Sequence, residues 1–513
     1  MLSIPFLAAA SKIDSSVFLI VFAAYIAIMI GMSIFISRKQ KTGEDFLLGN
    51  RSVPFFLILG TTIATLVGTG SSMGAVGKGY QTGWMGAFFG IGGAVGMILL
   101  GLLFSTVRKY NFMTMSEEVS FYYGGNKLIK HIIGFITYIA SVGWLGAHIM
   151  GGAKYLSYVS GIDPQLCKLI VAAAFSVYVV VGGYMAVVWT DTVQAVILFA
   201  GFVLMGFMAV DKMGGFEELK AVASSQAEIF FGKSILPSIS LAVTVAVSTL
   251  SVPSFRQRIY SGDTVKNIKK SFIYTGIIYI FFSFFPAIIG MAAYKINPNL
   301  KDPDLAFTYL AGGGVLPVAI GIIVLVAGLS ATMSSASSDA IAGVSILMRD
   351  VHHSIFGKVP PKEKSVKFSR IGVAATIIIA LTFTLMAKGV MTYILGMVDI
   401  IFSGMFACII LGKFWKRATW QGGFASLLSG SAVAITFMIQ KVTAEANGTA
   451  AWTKFWGSAI IPAVSIALIA GILISLITPP GTVSDEEALK MLEEERRAME
   501  DHEEVHAKDE DEV

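Results

Sequence analysis

The sequence predicts an all-α polytopic membrane protein. The chain of 513 residues is 55% hydrophobic and only 14% charged, and its mean hydropathy is +0.74, whereas soluble chains carry about 25% charged residues. Apolar stretches of roughly 20 residues, the length of a membrane-spanning helix, recur along the chain. Only helices and closed barrels satisfy their backbone hydrogen bonds in lipid, so these stretches are interpreted as transmembrane helices. The 53 glycines suit helices that pack closely or break.

Hydropathy predicts about thirteen crossings of the membrane. Their approximate bounds are 15–37, 53–80, 84–107, 131–160, 165–187, 190–211, 235–256, 271–294, 316–346, 368–387, 390–413, 420–440 and 456–478. With this count, the basic clusters at 38–41, 108–109, 256–270, 349–370 and 413–417 fall on one side. Because basic loops stay in the cytoplasm, we expect residues 1–14 to be an extracellular N-terminus. Residues 15–478 then form the transmembrane domain, and 479–513 form a cytoplasmic tail.

The acidic tail differs in charge from the rest of the chain. From Asp485 to Val513 it holds 14 acidic and 4 basic residues, a net charge of −10, which leaves +15 for the rest of a chain whose total is +5. A basic membrane domain follows from the same charge rule and does not indicate nucleic-acid binding. We expect the tail to be a solvated end that is helical at most around 486–498.

Two predicted crossings are interrupted near their centres. The second has Gly68, Gly70 and four hydroxyl residues within 64–72, a composition that weakens a helix. The seventh contains Pro253, which has no backbone donor. These crossings are five apart, so 53–211 and 235–413 are interpreted as two five-helix repeats of inverted orientation. Broken first helices in such repeats point to the binding site of a transporter.

The ninth predicted crossing carries a run of polar groups. The sequence ATMSSASSD at 331–339 places five hydroxyls and a carboxylate inside the apolar segment 315–347. Such groups at membrane depth are costly unless they face a cavity, an ion or a partner, and neutral hydroxyl oxygens suit an alkali cation. The alternative is that small residues only allow close helix packing. Packing accounts for the alanines but poorly for paired serines beside an acid.

Four motifs resemble those of the sodium/solute symporters, a family that includes sodium-coupled carriers of proline, pantothenate, glucose, choline and sialic acid. They are DFLLGNRS at 45–52, GGYMAVVWTDTVQ at 182–194, QRIY at 257–260 and the ATMSS run at 331–335. The resemblance covers the chain up to about residue 479. It implies the leucine-transporter fold, a 5+5 inverted repeat, and sodium-coupled uptake of a small organic solute by alternating access.

The resemblance also implies the sodium ligands. The main sodium site of the family uses backbone carbonyls and hydroxyls, and its positions fall here on Ala64, Val67, Ala331, Ser334 and Ser335. The last three are spaced i, i+3 and i+4, so they lie on one helix face. A second site, as in the sialic acid carriers, would fall on Asp191, Ser334, Ser337 and Ser338. Helix packing by the serines and helix capping by Asp191 remain alternatives, so one or two sodium ions per solute are expected.

The solute site is expected beside the two breaks, facing the fourth crossing. Its candidates are Gly68, Ser71, Ser72, Trp144, His148, Ser248 and Ser251. Trp144 and His148, spaced i and i+4, could instead be an aromatic pair packed in the bundle. Sialic acid carriers use an Arg in the fourth crossing, which this sequence lacks, so sialic acid is not expected. The remaining charged candidates are Asp339 as a cytoplasmic-gate carboxylate, Asp399 with an unnamed partner, and Lys78, which steers an anion or snorkels.

The expected function is that of a sodium-driven carrier in the cytoplasmic membrane. Sodium is the only expected ion, no cofactor is expected, and amino acids, carboxylates, vitamins, choline-like cations and sugars all remain open as solutes. The alternative is a channel or a sensor built on the same fold. The polar groups cluster near the midplane rather than forming a continuous stripe, and the 35-residue tail is short for a signalling domain. An enzyme is not expected, because no catalytic motif has its required context.

Overall fold

The computed structural model describes residues 13–38, 42–231, 235–313, 315–357, 364–385, 390–481 and 483–510. The predicted extracellular N-terminus therefore lies almost wholly outside the described residues. Within them the fold is helical, and β pairing is limited to one bridge between Val53 and Gly262. Cys167 and Cys408 are both buried free thiols.

The helices are numbered in chain order. They are α1 Ser15–Ser37, α2 Gly43–Leu48, α3 Phe55–Leu66, α4 Val76–Thr82, α5 Met85–Phe104, α6 Met115–Tyr122, α7 Lys127–Ser160, α8 Pro164–Met213, α9 Phe216–Phe231, α10 Leu236–Ser251, α11 Pro253–Ser261, α12 Val265–Phe282, α13 Phe284–Ile296, α14 Ala306–Gly312, α15 Val318–Ile346, α16 His352–Phe356, α17 Ser365–Thr384, α18 Val390–Phe414, α19 Trp420–Ala446, α20 Ile460–Ile477 and α21 Asp485–Glu510. A π-helical turn, Gly70–Ala75, precedes α4.

Ten helices among the described residues are long and apolar enough to cross a membrane, and two bent pairs bring that number to twelve. The difference from the predicted thirteen lies in α8, a single element of 50 residues. A straight helix of that length would measure about 75 Å, more than twice the ~30 Å hydrocarbon core. Gly183 interrupts α8 with φ 59° and ψ −166°, a conformation that glycine adopts at little cost.

The contacts of α8 with α15 reverse direction after Gly183. Going along α8, the successive partners on α15 are Met333 for Tyr178, Ser338 for Asp191 and Ala327 for Gly201. The contact position on α15 advances from residue 333 to 338 and then falls back to 327. This reversal indicates that the two arms of α8, the segments before and after Gly183, run antiparallel. Counting the arms as separate crossings would give thirteen, and that number stays a prediction.

Both predicted breaks are present. Helix α3 ends at Leu66, Val67 leaves the helical region with φ −88° and ψ 61°, and the helical segment that follows is bent by 50°. Helix α10 ends at Ser251, and Pro253 begins α11 at an angle of 43°. Each break leaves carbonyls without their usual donor four residues further on, and both breaks face the middle of the bundle.

The first broken helix is held by close backbone packing. A Cβ atom at Gly290 of α13 would lie 2.2 Å from the carbonyl oxygen of Val76 and 2.4 Å from the amide nitrogen of Tyr80. Only glycine permits that approach, so α4 packs directly on the backbone of α13. This contact fixes the second half of the broken helix in place.

The loops rich in Lys and Arg meet at one end of the bundle, which we call the basic face. Arg51, just before α3, donates to the carbonyl oxygen of Phe112 at 2.9 Å. Arg108 donates to the carbonyl oxygen of Gly262, just after α11, at 2.6 Å. The segment 105–114 therefore joins the ends of both broken helices at this face.

The C-terminal helix α21 packs on the basic face, so the expectation of a solvated tail is wrong for its first turns. Ala488 and Leu492 are 1% and 2% exposed, and Arg496 forms an ion pair with Glu117 of α6 at 2.7 Å. The helix is also longer than the expected 486–498. The expectation was based on net charge, whereas two apolar residues spaced i and i+4 provide the buried side.

Candidate functional site

The expected main sodium ligands converge where α3 ends against the middle of α15. The Ser334 hydroxyl lies 3.0 Å from the carbonyl oxygen of Ala64 and 3.2 Å from that of Ala331. The Ser335 hydroxyl lies 3.5 Å and 3.3 Å from the same two carbonyls. All four residues are fully buried. The structure therefore brings four of the five expected ligands together.

The fifth expected ligand, Val67, lies at the break itself, three residues beyond Ala64. A residue that the sequence analysis did not single out also takes part. The Ser335 hydroxyl donates to the carbonyl oxygen of Thr65 at 2.9 Å. The last turn of α3 thus directs two successive carbonyls at the serines of α15.

These oxygens fit a small monovalent cation. Hard cations bound by oxygen sit at about 2.4 Å from their ligands, which gives oxygen–oxygen edges of about 3.4 Å in an octahedron. The four distances between hydroxyls and carbonyls, 3.0–3.5 Å, match those edges. Carbonyl and hydroxyl oxygens carry no formal charge, which is the ligand chemistry expected of a site for a monovalent cation.

Gly68 separates the sodium ligands from the solute candidates. A Cβ atom at this position would lie 2.5 Å from the Ser335 hydroxyl and 2.9 Å from the imidazole carbon Cε1 of His148. Glycine therefore lets a residue of the sodium site and a residue of the solute site approach the same point of the broken helix.

The residues expected to form a second sodium site also lie together. The Asp191 carboxylate accepts hydrogen bonds from Ser338 at 2.8 Å, Ser337 at 3.2 Å and Thr61 at 2.7 Å. Asp191 is fully buried. Ser334 contacts both clusters: its hydroxyl bonds the carbonyl oxygens of Ala64 and Ala331, and its own carbonyl oxygen accepts from Ser337 at 2.9 Å.

A cationic side chain shares this second cluster. Arg258 of α11 donates through Nη2 to the hydroxyls of Ser338 and Thr61, both at 2.7 Å, and lies 3.4 Å from Asp191 Oδ2. It is 1% exposed. The sequence analysis placed Arg258 only within a motif, and no sequence signal connects it to Asp191, 67 residues away.

The solute candidates line a small buried cavity of about 50 Å³ beside the main sodium ligands. Five of the seven expected residues contribute to its wall: Gly68, Ser71, Trp144, His148 and Ser248. Ser72 and Ser251 do not line it, although both are buried. Sequence reasoning missed the apolar part of the wall, which includes Phe89, Val245 and Phe255. Apolar residues of neighbouring helices carry no signal that distinguishes them from core.

His148 and Asp339 form a paired polar part of the wall of this cavity. Nε2 of His148 lies 3.2 Å from Asp339 Oδ2, and both side chains are 4% exposed. Nδ1 of the same ring lies 2.9 Å from the hydroxyl of Thr69, within the break. Trp144 stacks on His148 at 5.9 Å. Both readings of the aromatic pair therefore hold, because the two rings pack together and line the cavity.

The remaining charged candidates lie elsewhere. Lys78 and Asp399 line a larger cavity of about 880 Å³ at the end opposite the basic face, which reaches Gly74 of the broken helix. The partner of Asp399, which the sequence left unnamed, is the start of α20: its carboxylate accepts from the Ala459 amide at 3.0 Å and from Ser458 at 3.2 Å.

The geometry is that expected of a helical secondary carrier, with two broken helices, a cluster of uncharged oxygens at one break and a small cavity beside it. A sequence model of the sodium:solute symporter family matches residues 46–430. The chain belongs to this family. Its function is therefore sodium-coupled solute transport across a cell membrane, and not that of a channel, a sensor or an enzyme.

Known proteins match over most of the chain. The osmoregulated proline transporter of Bacillus subtilis is 26% identical over 458 residues, which cover 86% of this chain and 91% of the relative. The sodium/glucose cotransporter of Vibrio parahaemolyticus is 25% identical and covers 80% and 83%. The solved structure of a Na⁺-coupled sialic acid symporter, in a substrate-bound outward-open state, superposes with a TM-score of 0.72 at 19% identity, over 91% of this chain and 99% of that one.

Proposed function

We propose that this carrier binds one sodium ion at Ala64, Ala331, Ser334 and Ser335 together with one small organic solute, and moves both by alternating access. One observation carries the proposal. Four uncharged oxygens from two helices converge at the break of α3, with separations of 3.0–3.5 Å and complete burial. The serine hydroxyls donate to these carbonyls in this structure, and a bound sodium ion would replace those hydrogen bonds by direct contacts with the same oxygens.

The solute is proposed to bind in the 50 Å³ cavity, against Trp144, His148 and Ser248. The indole Nε1 of Trp144 is buried and has no hydrogen-bond partner among the described residues, so the solute would supply an acceptor oxygen. Carboxylates, amino acids and sugars all carry one. The Asp339 carboxylate could accept a hydrogen bond from a donor of the solute, whereas both ring nitrogens of His148 are already engaged by Thr69 and Asp339.

Coupling between ion and solute would pass through Gly68. A Cβ atom at Gly68 would lie 2.5 Å from Ser335 of the proposed sodium site and 2.9 Å from His148 of the solute cavity, so both side chains lie close to this residue. Each ligand would favour the same position of the broken helix, so binding of one would raise the affinity for the other.

A count of one sodium ion rather than two is supported by Arg258. Its guanidinium lies among the oxygens expected to bind the second ion and offsets the charge of Asp191. A further cation there would leave one positive charge uncompensated in a fully buried cluster, which costs several kcal/mol.

The proposal is tested by sodium titration of thermal unfolding, with potassium replacing sodium at constant ionic strength. A ligand at 100 times its dissociation constant stabilises by about 2.7 kcal/mol. The double variant Ser334→Ala with Ser335→Ala should lose the sodium-specific shift. Thr332→Ala is the matched control, because its buried hydroxyl on the same helix bonds only the carbonyl oxygen of Leu329. An unchanged sodium shift in the double variant would show that the site is elsewhere.

A further inference from the structure

The C-terminal helix is joined to the transport domain by specific ion pairs. Arg496 donates to both carboxylate oxygens of Glu117 in α6, at 2.7 and 3.4 Å, and the carboxyl side chain is 3% exposed. Two parallel bonds between a guanidinium and a carboxylate fix geometry as well as charge. Such a contact is uncommon for a strongly acidic tail, which would otherwise remain in solvent.

The neighbouring residue extends this interface to two other helices. Glu495 accepts from Lys130 at the start of α7 at 2.9 Å, and its second oxygen lies 3.8 Å from His353 of α16. The side chains of Lys130 and Glu495 are only 3% and 10% exposed. Helices α6 and α7 belong to the first five-helix repeat, and α16 belongs to the second. Helix α21 therefore contacts both repeats at the basic face.

Helix α6 contacts both the C-terminal helix and the second broken helix. Glu117 binds the C-terminal helix, and the next residue, Glu118, binds Arg256 of α11 at 2.7 Å with both side chains fully buried. Glu118 also accepts from the hydroxyl of Tyr260 in α11. Two adjacent carboxylates therefore hold α21 and α11 through one short helix, so movement of α11 strains the contact with α21.

The basic face is closed in this structure. Arg256 and Arg258 of α11 are fully buried beneath it, whereas the 880 Å³ cavity lies at the opposite end and reaches Gly74 of the broken helix. Opening toward the basic face must therefore displace α11 or α6.

We propose that the C-terminal helix is an intramolecular clasp, which holds α6 and α11 in the arrangement closed at the basic face and slows opening there. Its release would increase the fraction of carrier that opens on this side. The clasp extends the proposed function without depending on it, because it requires neither a particular sodium site nor a particular solute.

The clasp is not released by mild acid. Burial alone would raise the pKa of Glu117, but the charges of Arg496 and Lys130 outweigh burial and lower the pKa from 4.5 to about 2. A carboxyl group with a lowered pKa stabilises the docked state above its ordinary pKa and loses that contribution only as pH falls toward the lowered value. Ion pairing at Glu117 therefore persists throughout the neutral range.

A native thiol reports on the opening of this face. Cys408 of α18 is fully buried, and the hydroxyl of Tyr123, which follows α6, donates to its carbonyl oxygen at 2.7 Å. Cys167 lies near the opposite end, beside the carbonyl oxygen of Ile162, and is an internal reference. Alkylation of both thiols by a maleimide, followed by mass spectrometry, gives the two labelling rates in one sample of the purified full-length protein.

Arg496→Glu should raise the labelling rate of Cys408 on the order of tenfold, the effect expected from losing a charge-assisted pair, while the rate of Cys167 stays constant. The matched control is Lys490→Glu, a charge reversal on the same helix at a side chain that is 77% exposed, which should change neither rate. Amide exchange of 485–497 in the same samples measures undocking of α21.

Two results would overturn the clasp. In the first, Arg496→Glu leaves α21 docked, so the ion pair does not hold it. In the second, α21 undocks while Cys408 labelling and amide exchange in α11 stay at wild-type rates, so the helix does not restrain the face.

Discussion

At the residue scale, Arg258 determines whether the residues expected to form a second sodium site have room for a second cation. The sequence places Asp191, Ser337 and Ser338 together, as a sodium site requires, yet the guanidinium of Arg258 bonds the same oxygens. Burying an unpaired ionised carboxylate is strongly unfavourable, so the ionised form of Asp191 is stabilised by a neighbouring positive charge. In this structure the protein itself supplies that charge.

Arg258→Gln should therefore turn the cluster into a sodium site. Removing the guanidinium leaves Asp191 uncompensated, and the freed oxygens match what a small cation binds. We expect the Hill coefficient for sodium in thermal-shift titrations to rise above the wild-type value, and the double variant Arg258→Gln with Asp191→Asn to return it to one. A wild-type coefficient of two that falls to one in Asp191→Asn alone would instead place a second sodium ion beside Arg258.

Sequence predicted the sodium and solute residues unequally. Ala64 lies at the predicted break and Ala331, Ser334 and Ser335 lie in the hydroxyl-rich run, so they were expected near one another, and the structure brings them together. The contact of Arg258 with Asp191 and the cavity wall at Phe89 were not predictable, because they depend on how distant helices pack. Such contacts have no local signature.

At the element scale, both breaks were predictable from local chemistry. Gly68 and Pro253 weaken their helices, and both breaks occur where expected. Hydropathy also separates two crossings near Gly183, where the non-helical backbone of this residue bends α8 into two arms. The count of thirteen crossings stays a prediction.

The C-terminal helix illustrates a limit of charge-based reasoning. A net charge of −10 favours a solvated segment, but burial is decided by individual side chains. Leu492 is buried, Glu495 pairs with Lys130 of α7, and Arg496 pairs with Glu117 of α6. The sequence contains these residues, but the surface that receives them is assembled only in the folded domain.

At the scale of the whole molecule, the structure is closed at the basic face and has its large cavity at the other end. Two of the predicted basic clusters, 108–109 and 256–270, meet at the basic face through the contact of Arg108 with Gly262. Because basic loops remain in the cytoplasm, we propose that the basic face and the C-terminal helix are cytoplasmic and that the large cavity opens outward.

This orientation is checked with reporters in intact cells. A phosphatase fused after Val513 should be inactive and a fluorescent protein at the same position should fold, since only the fluorescent protein matures in the cytoplasm. An epitope placed before Ile13 should be accessible to antibody from outside. An accessible C-terminus would reverse the orientation and with it the side on which the clasp acts.

The central claim is that sodium binding at Ala64, Ala331, Ser334 and Ser335 drives solute uptake with one ion per solute. One sodium ion moving down a tenfold gradient and 100 mV supplies about 3.7 kcal/mol, enough for roughly 500-fold accumulation of a neutral solute. The most direct test is the ratio of radioactive sodium to solute entering proteoliposomes, using whichever of proline, glucose, acetate or choline gives the largest sodium-dependent shift. We expect one sodium ion to enter per solute molecule. The double variant Ser334→Ala with Ser335→Ala should lose sodium-driven solute uptake, and Thr332→Ala should keep both the uptake and the ratio of one. A ratio of two, or sodium-driven uptake by the double variant, would contradict it.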